Sequence, residues 1–171
     1  MHSRNCFTAR AVAAALAAAT VALPTGANAA TVSGSLPVSA TVTANCTIST
    51  SALAFGSVNT ISGANVDGAG GLSITCTNGT AWSAGAGLGG GTGASFANRR
   101  MTAGANLLNY NLYTSAARTT VWGDGSGGTG LLAGTGSGAV QAVTVYGRVS
   151  SGQTSVPAGS YADTVAVTVT Y

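Results

Sequence analysis

Two stretches of strict alternation, one toward each end of the chain, constrain this sequence more than any other feature. From Val32 to Val42 the even positions read Val32, Gly34, Leu36, Val38, Ala40 and Val42, while Ser33, Ser35, Pro37, Ser39 and Thr41 fill the odd ones. From Tyr161 to the end, Asp163, Val165, Val167, Val169 and Tyr171 alternate with Ala162, Thr164, Ala166, Thr168 and Thr170. Side chains of a strand point to opposite faces in turn, so period two predicts a one-faced strand in each place. Between them Leu53 to Val58, Leu72 to Thr77, Ala81 to Ala86, Leu107 to Tyr113 and Val140 to Val149 read as shorter strands. Gly-rich runs at Gly85 to Gly93, Gly123 to Gly130 and Gly134 to Gly138 supply the reversals, and 26 of the 171 residues are glycine. About seven strands and no helical stretch after residue 29 predict an all-β sandwich.

The first residues have a different character. Arg4 and Arg10 precede an apolar run from Ala11 to Leu23, Pro24 and Gly26 interrupt it, and Ala27-Asn28-Ala29 has the small-x-small form read by signal peptidase. Residues 1 to 29 are expected to be a signal peptide cleaved before Ala30. The run of about 13 apolar residues falls short of the roughly 20 needed to span a bilayer, which argues against a stable membrane anchor.

Export bounds the chemistry of what remains. Cleavage removes Cys6 and His2 and leaves Cys46 and Cys76, and an even pair in an oxidising compartment reads as one disulfide. Closing a loop of about 30 residues contributes roughly 3 to 4 kcal/mol in the chain-entropy model. No His and no third Cys survives to complete a metal site, so no metal and no cofactor is expected. A domain of about 142 residues is enough to bury one core. Its side chains charged at neutral pH are Arg99, Arg100, Arg118 and Arg148 against Asp67, Asp124 and Asp163, with neither Lys nor Glu in the chain. Nucleic-acid binding needs a clustered positive surface, and the Arg99-Arg100 pair does not make one.

A catalytic reading finds little to work with. The missing His excludes a Ser-His-Asp or Cys-His site, and a carboxylate pair would need the three Asp residues to converge from turn-like contexts such as Gly123-Asp124-Gly125. The Gly-rich runs do not open helices, which removes the phosphate-cradle reading. Trp82, Trp122, Tyr110, Tyr113 and Tyr146 offer either a sugar-stacking platform or a sandwich core, and the core reading is the plainer.

Taken in order, Ala44-Asn-Cys-Thr-Ile48, Leu53-Ala-Phe-Gly56, Ile74-Thr-Cys-Thr-Asn-Gly79, Arg100-Met101, Leu108-Asn-Tyr-Asn-Leu-Tyr113, Trp122-Gly123, Val145-Tyr-Gly-Arg148, Gln153 and the close Pro157 to Tyr171 resemble the spore coat protein U domain family. That family includes the pilins of archaic (Csu-type) chaperone-usher pili. The resemblance covers the whole mature chain, with departures at Gly85 to Gly93 and at Pro37. It implies an immunoglobulin-like β-sandwich over residues 42 to 171, incomplete for want of its last strand, and a donor-strand extension over residues 30 to 41. The side chains at Val32, Gly34, Leu36 and Val38 would enter the groove of the next subunit. Pro37 falls on the other parity, and a proline is tolerated where a strand lies at an edge.

The implied partners are identical or related pilin subunits, a periplasmic chaperone and an outer-membrane usher. The implied setting is a pilus at the cell surface, serving adhesion and biofilm formation. A secreted spore-coat or matrix protein whose own first strand completes the sandwich is the alternative. A carbohydrate-binding module is a further one, with Trp82 or Trp122 as its stacking residue.

Overall fold

The computed structural model describes Gly26 and residues 28 to 171. The leader expected over residues 1 to 29 lies, except for Gly26, Asn28 and Ala29, outside the described residues. The chain divides into two units, Met1–Ser39 and Ala40–Tyr171.

In the first unit no strand is formed among the described residues, and Val32 (98% exposed), Leu36 (85%) and Val38 (86%) stand in solvent. The alternation of residues 32 to 42 therefore does not appear as a strand here. A strand exists only through ladder partners, and a lone alternating segment has none.

The second unit is built entirely of strands and connections. They are β1 (Cys46–Ser51), β2 (Val66–Cys76), β3 (Ala81–Ala86), β4 (Arg99–Ala103), β5 (Asn106–Tyr113), β6 (Leu132–Thr135), β7 (Gln141–Val149) and β8 (Val167–Thr170). One sheet has the order β1-β2-β7-β5-β4 and the other β6-β3-β8, with antiparallel pairing throughout. Period two shows directly in the burial of Leu72, Ile74 and Cys76 on β2, of Trp82, Ala84 and Ala86 on β3, and of Val145 and Val149 on β7. These rows, with Met101, Leu108, Tyr110, Leu112, Trp122 and Leu132, form one core between the two sheets.

The strands expected over Leu72 to Thr77, Ala81 to Ala86, Leu107 to Tyr113 and Val140 to Val149 are present as β2, β3, β5 and β7. Leu53 to Val58 is not a strand, and the C-terminal strand is confined to Val167–Thr170. Cys46 lies opposite Cys76 across the β1/β2 ladder, and the two are joined by a disulfide. Replacing both cysteines by alanine is expected to lower stability by roughly 3 to 4 kcal/mol, measured by urea unfolding of the oxidised chain beside the variant. Free thiols titrated in the wild type purified without reductant would contradict the bond.

Among the described residues, one cation is fully buried. Arg99 is 0% exposed. Its Nε donates to Gly87 O at 2.9 Å, Nη1 to Asn111 Oδ1 at 2.8 Å and Nη2 to Trp122 O at 2.7 Å, and its guanidinium lies 5.5 Å from the Phe96 ring centroid. Asn111 in turn donates to Phe96 O and Ala97 O. Burial pushes the guanidinium below its usual pKa, opposed by Tyr110 and Asp163. The fork thus joins the end of β3, the centre of β5 and the Trp122 segment, which belong to different layers.

Candidate functional site

The Leu53-Ala-Phe-Gly56 run reads as a strand in sequence but packs as a rim. Leu53 and Phe55 rest on glycines of β2 and β7. A Cβ at Gly70 would lie 2.8 Å from Leu53 Cβ, and one at Gly147 would lie 2.8 Å from Phe55 Cζ. Only hydrogen on the sheet lets the segment approach so closely. The segment therefore lies over the face of the five-stranded sheet and does not extend β1.

Opposite this rim, residues 156 to 165 make a second one, continuing into β8. Between the rims opens a cleft of about 1170 Å³. Its floor is apolar: Leu72, Met101, Leu108, Leu112, Val145 and Trp122 line it together with the Tyr110 ring. Phe55 of the first rim meets Tyr110 edge to face at 6.1 Å between centroids. Strand β8 pairs with β3 on one side and, among the described strands, with none on the other. The half-buried row of Val165, just before β8, with Val167 and Val169 on it packs on the core, and Val165 and Val167 line the cleft. Apolar floor and unpaired strand edge thus lie side by side, the arrangement in which an added extended segment finds main-chain partners and pockets for alternate side chains.

The electrostatics of the cleft centre on one pair. Tyr110 Oη donates to Asp163 Oδ2 at 2.6 Å. Burial, reinforced by the carboxylate, pushes the Tyr110 hydroxyl above its usual value of 10.0. A folded-state pKa raised above the unfolded value means a contribution that is whole below about pH 10 and is lost as pH rises through the raised value. The melting temperature is accordingly expected to fall more between about pH 9 and about pH 11.5 in the wild type than in Tyr110→Phe, which has no such proton. Equal falls in a thermal scan of the two would refute this.

The three carboxylates do not converge. Asp67 faces Arg148 (Nε to Oδ1, 2.7 Å) and Arg118 (Nη1 to Oδ2, 3.3 Å), and the hydrogen bond from Arg148 holds it below the usual carboxylate range. Asp124 accepts from the Ser126 N–H and hydroxyl and turns its own loop, as the Gly-Asp-Gly context predicts. Asp163 is no simple turn residue, since its partners are Tyr110 and the Gly90 N–H far away in sequence. Sequence gave no signal for this beyond an Asp on the apolar parity of an alternating stretch.

Trp82 (5% exposed) and Trp122 (2%) belong to the core, with Trp82 Nε1 donating to Gln141 Oε1 and Trp122 Nε1 to Ala84 O. Neither offers the stacking face that a carbohydrate-binding reading assigned to them. Tyr113 and Tyr146 are half-buried, with Arg118 over the Tyr146 ring. Cys46 and Cys76 are brought together, whereas Val32, Gly34, Leu36 and Val38 stand exposed. Among the described residues there is no metal-ligating cluster and no helix long and apolar enough to cross a membrane.

Two antiparallel sheets packed face to face, with a cleft along one side, define an all-β sandwich domain. The model of the Spore Coat Protein U domain matches residues 32–168, and the chain belongs to that family. Protein U of Myxococcus xanthus is 39% identical over 176 aligned positions, taking in 94% of this chain and 97% of that one. Among solved structures, a chain of the CsuC-CsuE chaperone-tip adhesion subunit pre-assembly complex from archaic chaperone-usher Csu pili of Acinetobacter baumannii matches with a TM-score of 0.55 at 20% identity. The match covers 77% of this chain and 40% of that one, so this chain spans about two fifths of its length. The likeness is one of fold.

Proposed function

We propose that this protein is a structural, non-enzymatic subunit of an extracellular pilus, joined head to tail by strand donation. Residues 30 to 41 of one copy enter the cleft of the next, pairing with the free edge of β8 and placing Val32, Leu36 and Val38 on its apolar floor, with Gly34 between them. The observation that carries this reading is the cleft itself, a trough of about 1170 Å³ with an apolar floor beside an unpaired strand edge. It occurs in a chain whose own exposed segment presents apolar side chains at every second position apart from Gly34. The sandwich is then incomplete, and residues 42 to 171 form the receiving domain.

Each contact uses different surfaces of the two copies and does not close on itself, so it propagates as a filament. Before assembly the cleft needs a substitute strand, the part played by a periplasmic chaperone, with an outer-membrane usher exchanging it for the next subunit. The signal peptide, export through the periplasm, attachment to surfaces and biofilm formation belong to the same reading.

A self-complete coat or matrix protein is the second reading, favoured by the 39% identity to Protein U, higher than the 20% identity to the pilus-complex chain. The test is an unboiled denaturing gel of the exported protein. A ladder of multimers supports strand donation; a monomer that refolds unaided overturns it and leaves the coat protein.

A further inference from the structure

The rim formed by residues 156 to 165 is not secured by a strand ladder. One two-residue bridge holds it, in which the Thr102 N–H donates to Ala162 O at 2.9 Å and the Ala162 N–H to Thr102 O at 3.1 Å. Just before the rim, the Gln153 side chain accepts from the Asn109 N–H at 2.7 Å and donates to Asn109 O at 2.9 Å. Next to the bridge stands Asp163. Its Oδ2 accepts from the Tyr110 hydroxyl at 2.6 Å, and its Oδ1 accepts from the Gly90 N–H at 2.7 Å and the Thr164 N–H at 2.7 Å.

Tyr110 is 6% exposed and stands on the cleft floor. Asp163 therefore ties the rim to the floor and to the Gly-rich loop at once. That loop is packed here and is no loose insertion: a Cβ at Gly89 would run into the Asp163 carboxylate, and Gly89 holds φ +87°.

An apolar trough without an occupant has a reason to close. Each Å² of apolar surface removed from water contributes roughly 25 cal/mol, and a rim with one bridge offers little backbone resistance. A polar tie of fixed length between rim and floor opposes that closure, because the short charge-assisted bond is lost if the rim slides or tilts.

We infer that Asp163 and Tyr110 are positioning residues that hold the cleft open for an incoming strand, an inference that rests on the strand-donation reading. Once a strand is seated, the added ladder and its side chains hold the rim in their place. The tie then governs how fast a strand is captured and not how firmly the product stays joined.

The experiment uses the full exported chain and its variants Tyr110→Phe, Asp163→Asn and Asp163→Ala. Multimers are dissociated in guanidinium, the rate at which the ladder returns on dilution is measured, and the temperature at which intact ladders fall apart is recorded separately. Tyr110→Phe and Asp163→Ala are expected to slow rejoining about tenfold, as when the receptive state falls to about a tenth of the molecules. The dissociation temperature of formed multimers should move by less than about 4 °C. Asp163→Asn keeps only one of the two acceptor oxygens that Tyr110 and Gly90 use, and should lie between.

Rejoining at the wild-type rate in Tyr110→Phe overturns the inference. So does a parallel loss in rate and dissociation temperature, which marks an ordinary stabilising contact. Should Asp163→Ala fail to reach the exterior, Tyr110→Phe decides alone. A wild type that forms no ladder sinks the strand-donation reading, and the inference with it, before any variant is compared.

Discussion

Replacing Leu36 by aspartate in the full-length chain will abolish the multimer ladder, while Ser35→Asp, one position away, will leave it standing. Under strand donation Leu36 sits on an apolar floor and Ser35 faces away, because neighbouring side chains of a strand point to opposite faces. Burying a leucine contributes about 1.5 to 3 kcal/mol, and burying an unpaired carboxylate costs several more. A total of at least about 4 kcal/mol is about three powers of ten in the joining equilibrium, enough to empty the upper rungs of the gel. Deletion of residues 30 to 41 should give the same all-or-none result. Equal ladders from Leu36→Asp and Ser35→Asp would remove parity, and with it the proposed insertion of Val32, Leu36 and Val38.

Arg99→Ala is expected to be the most damaging single substitution in the sandwich, at about 3 to 5 kcal/mol, a large fraction of the stability of a small domain. Two effects compete. Removing a buried charge relieves its desolvation, but it also strands the acceptors Gly87 O and Trp122 O, takes from Asn111 Oδ1 one of its two donors and empties the space of a large side chain. Unsatisfied acceptors in different layers outweigh the relief. Arg99→Lys should recover little, since a single ammonium cannot span a guanidinium's divergent partners. Urea unfolding of the variants measures both. A lysine variant within about 1 kcal/mol of wild type would show that charge alone suffices.

The class of fold was readable from alternation. β2, β3, β5 and β7 lie at the centre of the two sheets or beside it, so each shows a clean apolar parity. The strands that residue pattern missed break that rule for local reasons. β4 buries Arg99 where an apolar residue is expected, and β6 is four residues set among glycines. β1 carries no apolar parity to read, because nearly all of its side chains are exposed. Leu53 to Val58 carries a strand-like composition yet forms a rim, since its partners are bare glycine backbone on β2 and β7 and not a ladder.

Of the candidate site, the pairing of Cys46 and Cys76 is legible from counting the cysteines left once the expected leader is removed. The cleft did not follow from any local pattern. It is a space between rims far apart in sequence, and only the family resemblance pointed to one. The Tyr110–Asp163 tie was invisible for the same reason, with 53 residues separating its ends.

The placing of the disulfide has a mechanical consequence. In a filament linked through residues 30 to 41, tension enters each domain from the N-terminal side, at the first residue of β1. A strand pulled from its end peels from its neighbour one hydrogen-bonded pair at a time, the weakest way to load a ladder. Here the first pair in the path, Cys46 opposite Cys76, is covalent. The pull passes directly into β2, which is paired along its length with β7 in the middle of the sheet, and β1 is spared unzipping. The sulfur bridge works as a strain relief at the point where the line is attached.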